Sequence, residues 1–336
     1  MATDQPLTSG RVGAPTAPAL SARRVTGGGG PARVDNGNPR RPKGVSPYLL
    51  LAAAALFWSG NFVLARAMRE AIPPLAMAFW RWCAAAFLLL PFAVPRVWAQ
   101  RRLVLDHLPV LFALGTLGVA GFNTLVYTGL QTTTATNGVL LNSSIPVAIM
   151  ALSWAFLGER LTLRQGLGVA ASLAGVLVIV TRGEPGTLWD LRLAQGDLWI
   201  LAAVVAWALY TVLLRARPPG LDPLAFLGVI VPMGVAVLLP LYLWELADGA
   251  RMRLDAATAA SLAYFAVFPS ILSYLFWNRA VAEVGPSRAG LFVHLMPVFG
   301  TLLSVVFLGE QPRLYQGAGI LLIFAGISLT LRGSGP

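Results

Sequence analysis

Two ionisable residues stand deep inside apolar stretches of this sequence, Arg81 and His294. Lipid-length apolar sequence makes such residues costly, so each invites a functional and a structural reading. The planar fork of Arg81 suits the carboxylate of a bound solute. Its long stem also suits snorkelling, or holding helix ends together. The imidazole of His294 titrates where proton coupling needs it and also suits a polar solute contact. Equally, it suits a packing histidine satisfied by a neighbouring helix. Glu159 and Glu310 close two further apolar stretches. They could gate by pairing with a basic residue in one conformation only, with Arg160, Arg164 and Arg313 at hand. The other reading is a water-exposed turn anchor, in pairs worth about 0–1 kcal/mol each.

Around these residues lie polar and aromatic side chains near the middle of apolar stretches. They are Trp58, Asn61, Asn123, Tyr127, Asn142, Ser143, Trp207, Tyr210, Tyr274 and Asn278. Amides bond carboxylates or amines, and aromatic faces stack on organic solutes or hold cations. The same residue types also glue membrane helices together and mark the membrane interface. Pro146 and Pro297 each remove a backbone donor and free a carbonyl, which makes them candidate hinges. Gly168 and Gly175, like Gly319 and Gly326, are seven apart and fall on one helix face. Small residues at that spacing let helices pack closely.

Composition says what must position these residues. Of the 336 residues 57% are hydrophobic and 12% charged, and the mean hydropathy is +0.70. A soluble surface needs far more charge, so the class is an all-α polytopic membrane protein. The net charge of +11 does not point to nucleic acid, because the basic residues sit in a tail and in short loops. The single cysteine, Cys83, excludes an internal disulfide and makes a thiolate metal site untenable. No cofactor is expected. The sequence lacks a His-Glu-x-x-His, a Gly-x-Ser-x-Gly and a P-loop, and its one lysine, Lys43, is in the tail. It therefore reads as neither an enzyme nor an ATP-driven pump.

Residues 1–47 are rich in Gly, Pro, Ala and Arg and read as a disordered basic cytoplasmic tail. A spanning helix needs about 20 mostly apolar residues. Ten such spans are expected, at 48–67, 75–95, 108–129, 136–157, 163–181, 197–215, 223–244, 258–280, 287–308 and 314–332.

The spans fall into two copies. Pro146, Leu157-Gly158-Glu159, Gln165-Gly166 and Gly175 recur 151 residues later as Pro297, Leu308-Gly309-Glu310, Gln316-Gly317 and Gly326. Trp58, Asn61, Arg66, Pro74 and Pro91 match Trp207, Tyr210, Arg215, Pro223 and Pro240 at an offset of 149. A two-residue loop change accounts for the difference. Lys and Arg favour the side that holds the tail, which places both termini in the cytoplasm. Five spans per copy then make the copies inverted, 48–181 against 197–332. Inverted repeats can expose a central site to either face in turn.

Trp58-Ser59-Gly60-Asn61-Phe62, Phe79-Trp80-Arg81, Phe122-Asn123 and Thr133-Thr134-Ala135-Thr136-Asn137 resemble the first repeat of the EamA family, in the drug/metabolite transporter superfamily. Asn142-Ser143-Ser144-Ile145-Pro146 and Leu157-Gly158-Glu159-Arg160-Leu161-Thr162 extend the match, as do Gly285-Pro286-Ser287-Arg288-Ala289 and Leu308-Gly309-Glu310. His294 and Gln311-Pro312 depart from the family pattern. The resemblance implies ten helices, an inverted-repeat fold and secondary transport of small metabolites, often amino acids and usually outward. It implies no particular substrate.

The expected protein is thus a multi-pass carrier of the bacterial inner membrane. Its partners are a small-molecule substrate, the lipid bilayer and, as an open choice of coupling ion, protons. No nucleic acid is involved, and the expected state is a monomer or weak homodimer. A non-transporting solute sensor, a channel-like facilitator and a multidrug efflux carrier are the competing readings.

Overall fold

The computed structural model describes residues 45–133, 135–160, 162–188, 194–308, 311 and 313–332. Every regular element among them is helical. The long helical segments are α1 (Pro47–Ala67), α2 (Pro74–Ala99), α3 (Leu108–Thr132), α4 (135–157), α5 (Leu163–Val180), α6 (Gln195–Ala216), α7 (Pro223–Ala247), α8 (Ala256–Val284), α9 (286–308) and α10 (Leu314–Arg332). Among the described residues nine of them, all but α9, are long and apolar enough to cross a membrane. The tail to residue 44 and Glu310 lie outside the described residues.

The expected span at 287–308 is helical but divided. Its pieces are Pro286–Gly290, a 3₁₀ stretch Leu291–His294, and Leu295–Leu308. Pro297 has no N–H to give to Val293 and its ring crowds the preceding turn, so the chain tightens there. The fourth segment breaks at the matching place, between Asn142 and Ile145, just before Pro146. The two prolines therefore sit beside interruptions rather than within smooth kinks, and the repeat-equivalent pair Ser143 and His294 marks both breaks.

The third and eighth segments carry a second matched irregularity. Each contains a π-helical turn, Gly115–Gly121 in α3 and Ala266–Leu272 in α8, in the same 151-residue register. The change of offset thus falls between Pro240 and Ala266 in the second copy. A π turn leaves a carbonyl without its usual partner. Here the carbonyls of Gly118 and Pro269, again repeat equivalents, accept from Tyr274 OH and Trp58 Nε1, the latter at 3.1 Å.

The main helix pairs are unchanged when the two copies are exchanged. α1 packs on α8 as α6 packs on α3, and α1 on α9 as α6 on α4. α2 pairs with α7, and α5 with α10. Glycine governs the α5–α10 pair. A Cβ on Gly168 would lie 2.6 Å from the Gly326 carbonyl oxygen, and one on Gly175 would lie 2.5 Å from that of Gly319. The backbones can approach only because those side chains are absent.

The α2–α7 pair is tied at both ends. Glu245 of α7 accepts from Leu75 and Ala76 N–H at 2.9 and 2.7 Å, capping α2. Asp222 caps α7, accepting from Leu224 and Ala225 N–H, and pairs with Arg96 of α2 at 3.6 Å. Carboxylates at helix N-termini satisfy orphan donors and complement the helix dipole. These pairings hold a frame around the middle of α1, α3, α4, α6, α8 and α9.

Candidate functional site

A cavity of about 770 Å³ lies between the two copies. Its walls come from α1 (Ser59, Phe62), α2 (Met77), α3 (Val126, Tyr127, Leu130), α4 (Val139, Asn142, Ser143), α6 (Ile200) and α9 (Val293, Met296, Pro297). It widens toward Arg69, Glu70, Gln131 and Thr133. These flank the C-terminal ends of α1 and α3, so the mouth faces one end of the bundle.

The opposite end is closed. Glu159 follows α4, Arg215 ends α6 and Ser287 begins α9. The Arg215 guanidinium stands 3.4 Å from Glu159, and Ser287 Oγ donates to the other carboxylate oxygen at 2.7 Å. At the same end Tyr48 of α1 stacks on Phe292 of α9, with ring centroids 5.7 Å apart. Arg217 sits just behind Arg215, donating to the Leu221 carbonyl oxygen and lying over the Phe226 ring. Burial lowers its pKa from the ordinary guanidinium value, against the raising influence of Tyr210 and Asp222. Sequence proximity suggests Arg160, Arg164 and Arg313 as partners for Glu159 and Glu310. The observed partner of Glu159 is 56 residues away, because α6 ends beside the turn that follows α4.

Beneath the cavity a recess of about 20 Å³ leads to Arg81. Arg81 is only 1% exposed. Its Nη1 donates to Asn61 Oδ1 at 3.1 Å, Asn123 Oδ1 at 3.2 Å and Tyr127 OH at 2.8 Å. Its Nε and Nη2 both donate to Ser270 Oγ, at 3.0 and 2.9 Å. The Trp82 and Phe265 rings lie 5.3 and 5.9 Å away. Below it is an aromatic floor. Trp58, Trp207, Tyr274 and Trp277 pack with centroids 5.2–6.5 Å apart.

The residues singled out in the sequence divide into three groups. Tyr127, Asn142, Ser143 and Pro297 line the cavity. Trp58, Asn61, Arg81, Asn123, Trp207 and Tyr274 line the recess, with Tyr127 and Asn142 shared by both. Tyr210, Asn278, His294, Pro146 and Glu159 line neither. Tyr210 OH donates to Asn278 Oδ1 at 2.8 Å, both buried. Nε2 of His294 lies 2.9 Å from the Ser143 carbonyl oxygen, and Nδ1 lies 2.7 Å from Ser172 Oγ. A carbonyl oxygen can only accept, so Nε2 carries the proton. Both ring nitrogens are engaged, and the imidazole ties the two helix breaks to each other.

Sequence reasoning missed Ser270, which binds Arg81 from α8, and the apolar walls Phe62, Val126 and Met296. Nothing in residue type separates such walls from lipid-facing side chains. The 151-residue register gives no pointer to Ser270 either, since its counterpart is Val119.

Known proteins align along almost the whole described chain. The EamA-like transporter family matches residues 45–181 and 194–332. The Bacillus subtilis uncharacterized transporter YyaM is 29% identical over 87% of this chain and 95% of its own. An uncharacterized transporter of Archaeoglobus fulgidus is 27% identical over 84% and 96%. A probable terminal-alkyne amino-acid exporter of Streptantibioticus cattleyicolor is 30% identical over 69% and 76%. A crystal structure with 20% identity superposes with a TM-score of 0.68, covering 86% of this chain and 99% of that one. This last likeness concerns the fold alone.

Proposed function

Because the chain belongs to the EamA-like transporter family, we propose that it is a secondary carrier which exports an amino acid or related small metabolite by alternating access. The observation that carries this reading is the cavity between the two copies. It is open at one end and closed at the other, in a frame whose main helix pairs survive exchange of the copies. α9 counts as a tenth, interrupted span, which makes two inverted repeats of five, 48–181 and 197–332. The bias of Lys and Arg puts both termini in the cytoplasm of a bacterial inner membrane. In that orientation the open mouth faces outward, and Glu159, Arg215 and Ser287 close the cytoplasmic side. The breaks beside Pro146 and Pro297 are the hinges, and the residues of the cavity and recess bind the solute. The amino-acid assignment is supported by the similarity to the Streptantibioticus cattleyicolor protein, a probable terminal-alkyne amino-acid exporter.

The test is uptake of carbon-14-labelled standard L-amino acids into proteoliposomes holding the full chain. Uptake of at least one should saturate with concentration. Uptake that climbs linearly at channel rates would overturn the carrier, and no uptake of any would overturn the amino-acid assignment.

A further inference from the structure

Two buried polar features of the site bear on which chemical group the solute must bring. The first is the Arg81 guanidinium. It is buried in the membrane-embedded core, and all four of its acceptor atoms are neutral: two amide oxygens, a phenol and a serine hydroxyl. None of the ion pairs among the described residues includes it. A buried cation without a counter-ion is costly, and an arriving anion relieves that cost.

The donor arithmetic also leaves room for a ligand. A guanidinium has five N–H groups, one on Nε and two on each Nη. Three oxygens compete for the two on Nη1, whereas Nη2 has one acceptor, Ser270 Oγ, which it shares with Nε. One N–H on Nη2 is therefore unspent, and one acceptor on Nη1 is surplus. The recess of about 20 Å³ has room for about one water. A carboxylate oxygen reaching Arg81 through it takes the place of the surplus acceptor, and no Arg81 donor loses a partner.

The second is Asn142 Oδ1. It is buried and has no hydrogen-bond partner, at the break in α4 where the side chain lines both cavity and recess. A buried amide oxygen left unpaired is costly and needs a donor. A solute ammonium or N–H supplies one.

We propose that Arg81 and Asn142 form the head-group subsite, resting on the carrier reading above. Arg81 takes a carboxylate, and Asn142 Oδ1 accepts from an ammonium or N–H beside it. The rest of the solute lies against Phe62, Val126 and Met296, which line both spaces. The repeat equivalent of Arg81 is Ile230, so the site holds one anionic group and not two.

The experiment measures thermal unfolding of the full chain in lipid nanodiscs. The probes are the standard L-amino acids, each compared with its amide, its decarboxylated amine and its desamino acid, with chloride as an ionic-strength control. At least one amino acid should raise Tm. Its amide, its amine and chloride should leave Tm unchanged, and the desamino acid should give a smaller rise. Arg81→Gln should remove the acid-dependent shift, and Asn142→Leu should reduce the amino-acid shift to that of the desamino acid. Equal protection by amide, amine or chloride would overturn the proposal. So would a full shift in Arg81→Gln, or no protection by any acid. The wild-type comparison stands even if a variant fails to fold. Saturable uptake of a solute without a carboxylate would remove the subsite and leave the carrier standing. Loss of saturable uptake altogether would remove both.

Discussion

The two copies carry the same scaffold and different chemistry, and the clearest contrast is between two polar clusters related by the repeat. In the first, Asn61, Asn123 and Tyr127 surround Arg81 and line the recess. In the second, the matching positions are Tyr210, Tyr274 and Asn278, with Ile230 in place of the arginine. There Tyr210 bonds Asn278 directly, and neither lines the cavity. Without a cation to organise them, Tyr210 and Asn278 bond each other, while Tyr274 turns to the Gly118 carbonyl oxygen and lines the recess. The repeat supplies the frame, and in one half of it an arginine gathers the three positions beside the recess.

The contrast can be broken by mutation, and the largest effect is expected at its centre. Arg81→Gln should reduce amino-acid uptake into proteoliposomes at least tenfold. Tyr210→Phe in the neutral cluster should keep uptake within twofold of wild type. Equal losses in both would erase the distinction between the clusters.

The matched scaffold gives the next effect. Gly175→Leu pushes a side chain into the α10 backbone. Overpacking of this kind costs about 1–3 kcal/mol, so Tm should fall, and Gly319→Leu should lower it comparably. A drop for one glycine and none for its partner would show that the copies do not share this interface equally.

A smaller effect is expected at the closed end. The Glu159–Arg215 pair is partly exposed, its side chains 30% and 46% accessible, and such pairs are worth about 0–1 kcal/mol. Glu159→Gln should leave Tm nearly unchanged yet raise labelling of Ser287→Cys by a membrane-impermeant maleimide from the cytoplasmic face, in a Cys83→Ala background. Unchanged labelling would mean that the pair does not hold this end shut.

The smallest effect concerns helix starts. α8 is capped by Asp255, which accepts from Thr258 N–H at 2.8 Å, whereas its counterpart α3 begins at His107 with no side-chain cap. The Thr258 backbone bond holds the Asp255 carboxyl below the usual carboxylate range. A depressed pKa gives stability that is present above the unfolded-state value and lost as pH falls through the folded-state value. The Tm difference between wild type and Asp255→Ala should therefore be largest near neutral pH and shrink as the carboxyl protonates. A difference independent of pH would assign the cap no charge component.

Much of this frame was legible in the sequence, because its signals are long and redundant. Apolar runs of spanning length, the repeat register and the glycine pairs each rest on many residues. The irregular backbone was less so. Pro146 and Pro297 signalled disruption, but the breaks lie beside them, at Ser143 and His294, where tertiary contacts decide. The π turns have no common residue pattern, Gly-rich in one copy and Pro-containing in the other. The partner of Glu159 was hidden for a different reason. Local sequence offers several arginines, and only the docking of α6 selects Arg215. Arg81 was visible as an anomaly, while one of its four neutral acceptors, Ser270, comes from a distant helix.

Counterflow tests the central claim most directly, since it requires a site that opens to one side at a time. Proteoliposomes containing the full chain are loaded with an unlabelled amino acid that saturates uptake, then diluted into a trace of the same compound carrying carbon-14. The account predicts a transient accumulation of label above the external concentration, followed by decay to equilibrium. It also predicts that Arg81→Gln abolishes the overshoot. A monotonic approach to equilibrium in the wild type, with no overshoot, would contradict alternating access.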